Sequence, residues 1–67
     1  MNLTVNGKSY ELDGVRTVAQ VLAHFEIRQP NGIAVALNLS VVKRSEFEKQ
    51  EIKDGDEIEI IRAVQGG

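Results

Sequence analysis

The residues best placed to do chemistry in this 67-residue chain are Gly66 and Gly67, which follow directly on an apolar strand pattern at its C-terminal end. Two glycines carry no Cβ and leave φ and ψ nearly unrestricted. They make a thread narrow enough to enter another protein's cleft, where a branched side chain would collide. The Gly67 carboxylate is then the most accessible acyl group of the molecule. It is inert as it stands and becomes an electrophile once a leaving group is attached. Nothing else in the chain offers comparable chemistry. Cysteine is absent, which removes disulfides, thiolate nucleophiles, zinc–cysteine sites and iron–sulfur ligation together. The single histidine, His24, has no second histidine and no carboxylate at helical spacing, so no metal or catalytic role is expected of it. Asp54-Gly55-Asp56 is too short for a calcium loop and reads as a turn.

Composition bounds what can carry this end. The length allows one small domain, and a domain of this size buries only about 60% of its extended-chain surface. Such a core is thin, and there is no room for a deep cavity lined by several catalytic side chains. With 42% hydrophobic and 27% charged residues the chain is globular rather than disordered. The net charge is −2, and Tyr10, Phe25 and Phe47 are the only aromatic residues, so no basic stripe interleaved with aromatics exists to bind nucleic acid. No apolar run approaches the length of a membrane span, and no secretory signal opens the sequence. These features predict a cytoplasmic protein, monomeric when free, with no metal and no bound cofactor.

The elements follow from periodicity. Met1, Leu3 and Val5 alternate with Asn2 and Thr4, Asn6-Gly7 is a hairpin turn, and Tyr10 and Leu12 alternate with Ser9 and Glu11 on the returning strand. Val18, Val21, Leu22 and Phe25 then fall on one stripe of a long helix, with Thr17 and Gln20 as a capping box and Ile27 packing where it ends. Pro30 and Asn31-Gly32 mark a loop. Ile33, Val35 and Leu37 form a third strand, Val41-Val42 a short extended piece, and Ser45 with Glu48 is expected to cap a single helical or 3₁₀ turn carrying Phe47. After a turn at 53–56, residues 57–63 form the last strand, with Ile58 and Ile60 on one face. One helix must cover one face of this mixed sheet of four to five strands, with the first and last strands as parallel central neighbours. That is an α+β, β-grasp (ubiquitin-like) architecture, with the domain at 1–63 and an extended tail at 64–67.

A tail of four residues reaches at most ~14 Å at ~3.3–3.6 Å per residue, enough to carry the carboxylate off its own domain. The last strand also points Glu57, Glu59, Ile61 and Ala63 away from the helix. Together with Ala34 and Ala36 on the outer face of the neighbouring strand, Ile61 and Ala63 are expected to form a small apolar docking patch beside the tail. Lys43-Arg44 and the acidic residues Glu51, Asp54, Asp56, Glu57 and Glu59 are secondary candidates for electrostatic contact with partners. The acidic residues would equally deter edge-to-edge pairing of the sheet.

Over its whole length the chain resembles the ThiS family, the small β-grasp sulfur carriers of thiamine biosynthesis. The matching residues are the hairpin Met1 to Gly7, Thr17-Val18 with Leu22, Val35 to Asn38, Val41 to Arg44, Asp54 to Ile58, and Val64-Gln65-Gly66-Gly67. The approach Ile61-Arg62-Ala63-Val64 lacks the proline pair common in the small subunit of molybdopterin synthase. Lys43 departs from the pattern, standing where many relatives have a proline. The resemblance implies a cycle in which a ubiquitin-activating-type adenylyltransferase uses ATP and Mg²⁺ to adenylate Gly67. A cysteine desulfurase relay then converts the adenylate to a thiocarboxylate, and thiazole synthase takes the sulfur. Gly67 would be the modified residue, Gly66 the steric permit, and Val64 and Gln65 the segment entering the partner's site. The chain itself would be a co-substrate rather than an enzyme. Two other readings share the sequence features: a carrier delivering sulfur to molybdopterin or another acceptor, and a protein-binding module whose diglycine is incidental.

Overall fold

The computed structural model describes residues 1–27 and 32–62; the expected loop residues Arg28 to Asn31, and Ala63 to Gly67, lie outside the described residues. Strand β1 (Asn2–Val5) turns into β2 (Lys8–Glu11) through Asn6 and Gly7, whose φ angles of 52° and 82° make the two-residue hairpin expected of Asn-Gly. Helix α1 (Val18–His24) follows, then β3 (Ile33–Leu37), β4 (Ser40–Val42), a 3₁₀ turn (Arg44–Glu46) and β5 (Glu57–Arg62). The sheet has the order β2-β1-β5-β3-β4. β1 and β5 are parallel neighbours near its centre, and the other pairings are antiparallel. This is the mixed, five-stranded, one-helix arrangement expected from the sequence.

Seven residues cannot hold a helix by themselves. Three observations explain why α1 forms. Thr17 Oγ1 accepts from the Gln20 amide, and the Gln20 side chain reaches back to the Thr17 amide, closing the capping box. The next orphan donors find partners outside the helix: Val18 N–H donates to Gln50 C=O at 3.0 Å, and Ala19 N–H to Phe47 C=O at 2.8 Å. Val18, Val21 and Leu22 are then buried against Leu3, Val35 and Ile58 of the sheet, joined by Leu12, Phe47 and Ile52. Each fully buried aliphatic side chain contributes roughly 1.5–3 kcal/mol.

Two expectations are corrected. The helix is short, ending at His24, because the backbone passes to positive φ at Glu26; Phe25, the fourth stripe residue, packs half-buried against the core from the C-cap position. The turn carrying Phe47 is not capped by Ser45 and Glu48. It starts at Arg44 behind Lys43, which makes no side-chain cap bond, and burial of Phe47 holds it in place. No described helix is long and apolar enough to cross a membrane.

Candidate functional site

Residues 63–67 follow β5 in the sequence, so the site is built around the last residues of that strand. Two asparagines in left-handed conformation fix it. At its start, the Asn38 amide donates to Glu57 C=O (2.7 Å) while Asn38 Oδ1 accepts from Glu57 N–H (2.9 Å). Asn38 Nδ2 also donates to Asp56 Oδ1, and Asp56 Oδ2 accepts from the Lys53 amide, which locks the turn before the strand. Farther along, β1 has ended: its pairing with β5 stops at Val5 opposite Ile58. Asn6 takes over, donating its amide to Ile58 C=O (2.9 Å) and accepting Ile60 N–H on Oδ1 (2.7 Å). Both sit at positive φ, which asparagine adopts more readily than most residues with a Cβ, and both spend their side chains on β5 rather than on their own turn.

Beyond Asn6, β5 is held from one side only among the described residues. β3 pairs with it through Val35–Ile60, Ala34–Ile61 and Ile33–Arg62. Alternation then places the Arg62 N–H on the side that β1 has vacated. Among the described residues, the end of β5 is therefore laddered on one edge and open on the other.

The outer sheet face at this end is apolar. Ile61 sits opposite Ala34, and Ala36 lies between Glu59 and Val41. Ile61 is 55% exposed and Val41 81% exposed. The structure thus brings three of the expected patch residues, Ala34, Ala36 and Ile61, onto adjoining strands. Ala63, the fourth, and the tail residues Val64, Gln65, Gly66 and Gly67 lie outside the described residues. The patch extends further than expected. Val41 joins it from the edge strand, and Leu39, 85% exposed, stands at the tip of the β3–β4 hairpin with φ of 72°. A leucine in that conformation, where glycine is the usual choice, is locally costly and directs an apolar side chain into solvent. Strict alternation from Val42, which is buried, would have placed Val41 outward.

The remaining charged candidates divide by role. Asp54 Oδ1 accepts from the Asn2 amide, and Asp56 closes its turn, so both serve the fold. Glu51 bridges to Thr17. Glu57 and Glu59 are exposed on the outer face. His24 is exposed and stacks edge-on against Phe25, with ring centroids 5.2 Å apart. Among the described residues there is no cluster of three or more metal-ligating side chains.

Comparison with known proteins agrees with this geometry. The profile of the ThiS family matches residues 3–67. The chain is 28% identical to the sulfur carrier protein ThiS of Escherichia coli, with both proteins covered in full. It is also 30% identical to a thiazole synthase of Paramagnetospirillum magneticum, where it is covered completely but spans only 20% of the longer protein. The crystal structure of the thiamine biosynthesis protein ThiS from Geobacter metallireducens superposes with a TM-score of 0.83 at 38% identity, covering both chains entirely. A solution structure of a thiamine biosynthesis protein from that organism gives 0.81 at the same identity.

Proposed function

Because the chain belongs to the ThiS family, we propose that it is a sulfur carrier of thiamine biosynthesis whose working group is the Gly67 carboxylate. A carboxylate is a poor acyl donor until its oxygen is made a leaving group. In this reading an adenylyltransferase of the ubiquitin-activating type joins Gly67 to AMP, using ATP and the Mg²⁺ that the partner holds. A sulfide equivalent from a cysteine desulfurase relay displaces AMP and leaves a terminal thiocarboxylate. Thiazole synthase then takes the sulfur. The chain acts as a cytoplasmic co-substrate, with Gly66 admitting the thread and Val64 and Gln65 lining its path.

The observation that carries the proposal is the match to the family and to the Escherichia coli carrier, which runs through the diglycine. The match to a segment of a longer thiazole synthase supports that enzyme as acceptor, since the two activities would then share one chain. The one-sided tail root supports a handle-and-thread division of labour. On the outer face, Ala34, Ala36 and Ile61, continued by Val41 and Leu39, supply an apolar docking surface beside the thread, with Ala63 as its expected extension. Intact-mass measurement of protein from its native host tests the reading. A species heavier by the difference between sulfur and oxygen is expected, and it disappears on deletion of Gly67. A mass matching the unmodified sequence under thiamine-free growth would refute it.

A further inference from the structure

The sheet is longer than the helix that covers it. Seven helical residues span roughly 10 Å, whereas the six residues of β5 span about 20 Å. The inner face of the sheet near the tail root is therefore left as a groove past the end of α1, enclosing about 580 Å³. Tyr10, Phe25, Ile27 and Ile60 form its apolar floor and wall, all half-buried, with Tyr10 and Phe25 locked edge-to-face at 5.1 Å. Val5 and Asn6 line it at the β1 end, and Lys8 and Arg62, both exposed, supply its charge.

The charges on this sheet are sorted by face. Lys8 lies opposite the inward Val5, and Arg62 follows Ile58 and Ile60 along the inward side of β5. Glu11, opposite the exposed Asn2, and Glu57 and Glu59 point to the other side. Although the chain carries a net charge of −2, no acidic residue lines the groove among the described residues. An apolar floor with two cations and no competing carboxylate is complementary to an acidic surface with an apolar centre.

We infer that this groove is a second docking site, which receives an acidic protein segment with a central apolar side chain from a tail-processing partner. The assignment rests on the sulfur-carrier reading, because that reading supplies partners that grip the same tail in turn. It gives the carrier two recognition faces at the tail root: an apolar, acid-flanked outer face and a basic inner groove. Affinity for the groove-binding partner is salt-sensitive, since exposed charges carry it.

The test uses the full chain with the adenylyltransferase and the thiazole synthase of the same organism, measuring binding to each at low and physiological salt. The Lys8→Glu, Arg62→Glu double variant is expected to weaken binding to one of the two enzymes by about tenfold or more and to flatten its salt dependence. The charge-preserving pair Lys8→Arg, Arg62→Lys keeps the affinity, and Lys8→Gln, Arg62→Gln falls between. Both positions are exposed, and thermal melting checks that each variant folds. If the wild type acquires a thiocarboxylate but the double reversal binds both enzymes within about twofold, the groove assignment alone is overturned. A wild-type chain that is never sulfurated overturns the carrier reading, and this inference with it.

Discussion

Asn6 offers a direct test of how the tail root is held. Its Oδ1 is the partner of the Ile60 amide at 2.7 Å, and its backbone sits at φ 52°. Replacing it with alanine removes a hydrogen bond that contributes about 0.5–1.5 kcal/mol. The same change puts alanine, which adopts the left-handed region less readily than asparagine, at that backbone angle, at roughly 1–2 kcal/mol. The expected loss is about 2 kcal/mol, close to half of the ~3–5 kcal/mol that a core this small supplies. Glycine loses the hydrogen bond but tolerates the backbone, so Asn6→Gly should cost about 1 kcal/mol. Asn6→Asp keeps an acceptor oxygen and should stay within about 0.5 kcal/mol of the wild type. At ~4–8 °C per kcal/mol for a domain of this size, alanine lowers Tm by about 10 °C and glycine by about half as much. Urea unfolding and melting give the ranking, and hydrogen exchange at the Ile60 amide locates it. Protection there should fall in the alanine and glycine variants and survive in the aspartate variant. Equal stability of the alanine and glycine variants would refute the backbone argument. A glycine variant as stable and as protected at Ile60 as the wild type would refute the side-chain one.

Other outcomes follow from the same geometry. Ile58, 1% exposed beneath α1, should cost about 2–5 kcal/mol when truncated to alanine, enough to unfold much of the population at room temperature, whereas Ile58→Val should cost about 0.5–1.5 kcal/mol; circular dichroism melts distinguish the two. Leu39→Gly relieves a leucine at φ 72° and should raise stability by about 0.5 kcal/mol after the entropy of the added glycine is counted, while weakening capture by partner enzymes in a pull-down with purified components. Ile61→Ser, on the outer face, should leave stability within about 0.5 kcal/mol yet reduce partner affinity measured by calorimetry. Gly66→Val should leave the fold and its melt unchanged and abolish the mass increase of the thiocarboxylate form, because the branched side chain no longer passes through the partner's cleft.

The parts of the fold that were legible in the sequence are those written in short-range chemistry. Asn6-Gly7, the Thr17–Gln20 box, the Val18-Val21-Leu22 stripe and the alternation of Ile33, Val35 and Leu37 each declare themselves within a few residues. The parallel pairing of the first and last strands followed from the need to cover one helix with one sheet. What stayed hidden was non-local. Asn6 and Asn38 looked like turn residues, and nothing nearby signals that their side chains clamp a strand 54 and 19 positions away. The basic groove arises from a mismatch in length between α1 and β5, which no single segment encodes. Ser45 and Glu48 fitted a capping pattern that lost to the burial of Phe47. Three residues of the outward apolar patch were legible because they sit on paired strands. Leu39 was not, since a leucine is the wrong residue for its turn.

The adjacency of β1 and β5 has a consequence for the timing of synthesis. The strand that leads into the diglycine is translated last of the five, yet its central neighbour is translated first. A nascent chain therefore cannot close its sheet until nearly all of it has left the ribosome, and Asn6 has nothing to grip before then. Products truncated before β5 lack the strand that joins the two halves of the sheet.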